Sequence, residues 1–115
     1  MIIQQKSKRI LRKDILFRIE NFGGIIINKH NFKRIELTIP EALFIYATQY
    51  TNDINAKSIV CTILHVDSID ITKVLSLDIF EDIIDTRWIS YEEVLKQTKL
   101  AYQQMQSYNC LSFPL

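Results

Sequence analysis

The chain has 115 residues, 48% of them apolar and 23% charged, with a formal net charge of +1. That length gives one domain with a single core, and the composition is that of a chain that folds. No global field recruits nucleic acid or an anionic membrane, no apolar run has spanning length, and no signal-peptide core follows Met1, so a cytosolic protein is expected.

Residues 1–13 carry Lys6, Lys8, Arg9, Arg12 and Lys13 with few apolar partners and read as a loosely held basic arm. From Asp14 the pattern becomes strand-like, with Phe17 and Ile19 alternating with Arg18 and Glu20. Gly23 and Gly24, the only glycines, then permit a tight turn or bulge where a Cβ would be forbidden. A positive φ is expected at Gly24, so that Gly24→Val would cost stability. The β-branched run from Ile25 reads as a second strand covered on both faces, followed by a turn at Lys29, His30 and Asn31, with Asn31 expected in the left-handed region. Lys33 to Thr38 reads as a third strand, with Ile35, Leu37 and Ile39 on one face and Arg34, Glu36 and Thr38 on the other. Three strands joined by short turns form an antiparallel meander, with the third at an edge.

Helices follow. Thr38 and Glu41 have the spacing of a capping box, Pro40 suits a first turn, and the apolar face continues to about Thr51. Asn55 is placed to cap a second helix over residues 56–64. A third helix is expected over 76–88, with Leu77, Phe80, Ile83, Ile84 and Trp88 on one half of its wheel. Ser90 and Glu93 repeat the capping spacing ahead of a fourth helix marked by Tyr91, Val94, Thr98, Ala101 and Met105. The expected class is α+β: a winged-helix-like arrangement of a three-stranded antiparallel meander and three helices, plus an extra C-terminal helix. The expected organisation is an arm (1–13), a main domain (14–90) and a C-terminal helix and tail (91–115).

Catalytic and metal-binding signatures are missing. Cys61 and Cys110 have no CxxC companion, and His30 and His65 have no second ligand at metal spacing, so no metal, cofactor or disulfide is expected. Cys61 falls in an apolar helical pattern and reads as buried. No phosphate loop, nucleophile elbow or dinucleotide fingerprint occurs, and Asp78, Glu81, Asp82 and Asp85 read as the solvated face of a helix. The chain is therefore expected not to be an enzyme.

Two uses of such a shape compete. A winged-helix nucleic-acid binder would need a basic recognition helix, and only the arm is basic, while the third helix is acidic. An open edge strand instead offers unpaired N–H and C=O groups to an extended peptide. The third strand, with the 74, 77, 78, 81, 84, 85 stripe of the third helix, would form the cleft. Its acidic rim would favour a basic peptide. Whether Leu37 or Thr38 turns its N–H outward is left open. The same edge could also pair with a second copy of the chain.

The stretch "LFRIENFGGIIINKHNFKRIELTIPEALFIY" resembles the opening of PqqD-like domains, the RiPP recognition elements, and "ITKVLSLDIFEDIIDTRWI" is similar to their third helix, with Arg87 where a glycine is usual. The likeness covers about residues 12–90. The resemblance implies that the chain binds the leader segment of a ribosomally made precursor peptide as an added strand. It implies delivery of that peptide to a radical SAM maturase, with no iron–sulfur cluster in this chain, because the cluster motif is missing. Carried over by position, the peptide would meet Lys33, Arg34, Ile35, Glu36, Leu37, Thr38, Val74, Leu77, Asp78, Glu81, Ile84 and Asp85. The ending "LSFPL" resembles the segment that precedes the barrel in fused maturases, which implies a discrete subunit whose fourth helix docks the enzyme. The partners expected are thus a leader peptide and a radical SAM enzyme, with no nucleic acid and no membrane.

Overall fold

The computed structural model describes residues 6–85 and 89–111, the side chains of residues 6, 7, 85 and 108–111 excepted. Arg87, Trp88, the Cys110 side chain and most of the "LSFPL" ending therefore lie outside the described residues. The elements in order are β1 (Lys6–Leu11), β2 (Ile15–Glu20), β3 (Gly23–Asn28), β4 (Arg34–Leu37), α1 (Ile39–Thr48), α2 (Asp53–Leu64), α3 (Thr72–Leu75), β5 (Phe80–Asp85) and α4 (Tyr91–Leu111). The class is α+β, with the expected three-stranded antiparallel meander in the order β2-β3-β4, followed by helices and a C-terminal helix.

The meander is backed by α1. Ile25 and Ile26 are buried from both sides, as their unbroken apolar run requires, and Leu37 closes the sheet beneath the helix. Ala42, Leu43, Phe44 and Ile45 are fully buried at four consecutive positions, because α1 is surrounded by β3, α2, α4 and β1. The capping box at its start is complete: the Glu41 carboxylate accepts from the Thr38 N–H at 2.8 Å, and the Thr38 hydroxyl accepts from the Glu41 N–H at 3.4 Å. Helix α2 starts earlier than expected. Asn52, not Asn55, is the cap, and its side chain accepts from the Asn55 N–H at 2.8 Å. Cys61 on that helix is half-buried rather than buried, since it lies at the margin of the face that packs inward.

Helix α4 uses the stripe read from the sequence. Val94, Thr98, Ala101 and Met105 are buried against α1, α2 and β2, and Ser90 accepts from the Glu93 N–H at 3.1 Å. Its apolar face is thus spent on the core of its own domain, and among the described residues Leu100 is a large apolar side chain left on its outer side.

Two expectations fail together. The arm is not loose: residues 6–11 form β1, antiparallel to β5. The third helix is not a helix beyond one turn, α3, and residues 80–85 are a strand. Helical spacing would set Asp78, Glu81, Asp82 and Asp85 three and four residues apart, each like-charge pair opposing the helix by ~0.2–0.5 kcal/mol. Extended pairing instead sets Asp82 opposite Arg9 and Asp85 opposite Lys6. Arg9 also meets Asp53 at 2.8 Å, and Arg12 bridges Asp14 at 3.2 Å and Asp78 at 2.8 Å. Pairing between two distant segments thus sets a secondary structure that the local periodicity of either one misses.

The glycine pair also differs from expectation in detail. Gly23, not Gly24, has a positive φ, at 141°. A Cβ on Gly23 would lie 2.2 Å from the Leu37 carbonyl oxygen, so the β3 entry touches the β4–α1 junction backbone to backbone. Gly24 is ordinary in conformation but confined: a Cβ there would lie 3.0 Å from the Arg18 carbonyl and 3.1 Å from Ala42. Asn31 is likewise not the left-handed residue. It accepts from the Lys33 N–H at 3.0 Å, and the positive φ of 58° falls on Phe32. Gly23→Ala should therefore destabilise the fold by about 2–5 kcal/mol and Gly24→Ala by about 1–2 kcal/mol, as read by urea unfolding. An equal loss at the two positions would contradict the close approach at Gly23.

Candidate functional site

The third strand of the meander is at an edge, and the polarity of its ladder decides which groups it leaves open. The Asn28 N–H donates to the Lys33 carbonyl at 3.0 Å. In antiparallel pairing, hydrogen-bonded pairs alternate with unbonded ones. With Ile26 opposite Ile35 and Gly24 opposite Leu37, those two residues of β4 turn their backbone groups toward β3. Arg34 and Glu36 turn theirs away. Neither Leu37 nor Thr38 supplies an outward donor: Leu37 faces β3, and the Thr38 N–H is held by Glu41. Lys33 is also occupied, its N–H on Asn31 and its carbonyl under Asn28.

One outward acceptor is already covered. Lys73, on α3, donates from Nζ to the Glu36 carbonyl at 2.9 Å. This contact places α3 beside the β4 edge. Val74 is buried in the core, and Leu77 is half-buried against it, so the helix is anchored by its inner side. Hydrogen bonds from the Thr72 hydroxyl and N–H hold the Asp70 carboxyl below its usual range, and the Thr72 N–H donates to Asp70 Oδ1 at 3.0 Å.

The structure brings together eight of the twelve residues read from the sequence. Lys33 to Thr38 run along the edge or at its end, and Val74 and Leu77 lie on and just after α3. Asp78 is instead engaged by Arg12, and Glu81, Ile84 and Asp85 stand in β5 opposite Ile10, Ser7 and Lys6. They follow a helical stripe that does not form. Lys73 is the residue the sequence reading missed, and its one signal was a lone cation in the turn nearest an open edge, the usual guard of such edges. Among the described residues no group of His, Cys, Asp and Glu could hold a metal ion, and no helix is long and apolar enough to cross a membrane.

No family model and no curated protein sequence matches this chain. Solved structures do, among them the three that follow. The likeness is to SuiB of Streptococcus suis. Its structure bound to S-adenosylmethionine is 38% identical over 93% of this chain, with a TM-score of 0.67. Its structure bound to the precursor peptide SuiA is 38% identical over 93% of this chain, with a TM-score of 0.64. A further SuiB structure gives 36% identity over 92% of this chain and a TM-score of 0.61. This chain spans about a quarter of the SuiB chain, at 25%, 24% and 23% in the three comparisons.

The ladder polarity has a direct readout. In amide hydrogen exchange of the free protein, Ile35 and Leu37 should be slow and Arg34 and Glu36 fast, by about a hundredfold or more if β4 opens only with its sheet. Slow exchange at Glu36 and fast exchange at Leu37 would reverse the assignment.

Proposed function

We propose that this chain recognises the leader segment of a ribosomally made precursor peptide, taking it as an added strand on the outer edge of β4 beside α3. The peptide is then presented to a radical SAM modifying enzyme, and the segment described here performs no bond-making step itself. The observation that carries this reading is the outward row at Arg34 and Glu36, on a sheet similar to a segment of SuiB, a protein solved with its precursor peptide. An extended peptide matches such an edge by main-chain bonds alone, and side chains at alternate positions add selectivity. Holding one end of the peptide raises the local concentration of the rest at the enzyme, which permits weak contacts there. This is the behaviour of PqqD-like recognition elements, which the Phe-Gly-Gly ribbon resembles.

Against the competing use, nucleic-acid binding by the basic arm, stand contacts that the arm already makes. Arg9 and Arg12 are paired with carboxylates, and the Lys8 ammonium donates to the Gln49 carbonyl at 3.0 Å. Phosphate contacts would have to displace these partners.

The test is a proline at an outward donor. Glu36→Pro removes an N–H that faces away from β3, so the sheet should survive while binding of the labelled precursor peptide encoded beside this chain falls at least tenfold. Leu37→Pro removes an inward donor and should unfold the protein instead. Full-strength binding by folded Glu36→Pro protein would contradict the strand-addition reading.

A further inference from the structure

The charge beside the open edge is the reverse of the acidic rim read from the sequence. Glu81 and Asp82 belong to the β1–β5 ribbon, opposite Ile10 and Arg9, and Asp78 is held by Arg12. The side chains bordering the Arg34–Glu36 row are Lys33, Arg34 and Lys73, all exposed, with Glu36 as the anion among them. Among the described residues neither Lys33 nor Arg34 has a carboxylate partner. Lys73 spends its ammonium on a neutral carbonyl, the one outward acceptor that an arriving strand needs at Glu36.

We infer that the guest strand is acidic, and that Lys73 both guards the edge and selects that guest. The inference rests on the strand-addition reading. A lysine over an unpaired carbonyl blocks casual pairing with other chains. A guest N–H that takes the Glu36 carbonyl releases the ammonium beside the guest's own side chains. A carboxylate there gives the released cation a charge-assisted bond in place of the one it lost, whereas an arginine or lysine leaves it repelled. Lys33 and Arg34 extend the same preference toward the start of β4. Exposed ion pairs are individually weak, so the three cations together should discriminate by about tenfold, and salt should erode the difference.

The probe is a displayed library of random twelve-residue peptides, selected on the intact protein, so that the charge preference is read independently of any one precursor. Retained peptides are then sorted by whether they still bind Glu36→Pro and Arg34→Pro proteins, each of which lacks one outward donor. Circular dichroism establishes that each variant is folded, and either one suffices for the sorting. The edge-dependent peptides should be rich in Asp and Glu. Selection on Lys73→Glu protein should shift them toward neutral or basic sequences. Changing the acidic residues of a selected peptide to Asn and Gln should weaken it about tenfold in low salt and less in high salt. Edge-dependent peptides that are neutral or basic, or a selection unchanged by Lys73→Glu, would overturn the acidic-guest inference while leaving strand addition intact. A selection with no edge-dependent peptide would overturn strand addition itself, and this inference with it.

Discussion

Everything at the candidate site depends on the contact between Gly23 and the Leu37–Thr38 backbone. At 2.2 Å from the Leu37 carbonyl there is no space for a Cβ, and the φ of 141° suits no other residue. This approach pins the start of β3 against the end of β4, and so fixes the register in which Gly24 faces Leu37. Register in turn decides polarity. A slip of one residue would turn Arg34 and Glu36 inward and drive Ile35 and Leu37 out of the core. The capping box at Thr38 then ends the strand on a buried Glu41, so the open row is short and its boundary sharp.

The second determinant is electrostatic and non-local. Segments 6–11 and 80–85 are far apart in the chain, and each is unconvincing alone: one a basic arm, the other an acidic half-wheel. Paired, they make a ribbon in which Arg9 stands opposite Asp82, and Arg9 is held further by Asp53 of α2. The pairing has a consequence at the site. It draws Glu81, Asp82 and Asp85 into β5 and leaves α3 as a single turn whose lysine reaches the β4 edge. The local charge at the edge is thereby basic, in a chain whose net charge is only +1.

The meander, its edge strand, the capping box of α1 and the buried stripe of α4 were legible in the sequence because each is a short-range signal. Alternation at Ile35 and Leu37, the Thr38–Glu41 spacing and the Val94–Thr98–Ala101–Met105 period all report local geometry. The strand at 80–85 was not legible, since Leu77, Phe80, Ile83 and Ile84 fit a helical wheel as well as an extended run, and what decides between them lies about seventy residues upstream. The left-handed residue was misplaced for a similar reason. Asn31 has the right chemistry, but it uses its side chain to hold the Lys33 amide, and the turn passes the positive φ on to Phe32. Three of the twelve predicted site residues, Glu81, Ile84 and Asp85, went with β5, and Lys73 was passed over because it sits one position before the apolar stripe.

The central claim is that backbone groups of Arg34 and Glu36 receive a guest strand. The most direct measurement is an isotope-edited nuclear Overhauser spectrum of labelled protein with its unlabelled precursor peptide. The account predicts cross-peaks from the Arg34 and Glu36 amides to peptide backbone protons, in a regular alternating pattern, with β3–β4 contacts unchanged. Peptide cross-peaks confined to β2, α4 or the β1–β5 ribbon, with the β4 edge silent, would contradict it.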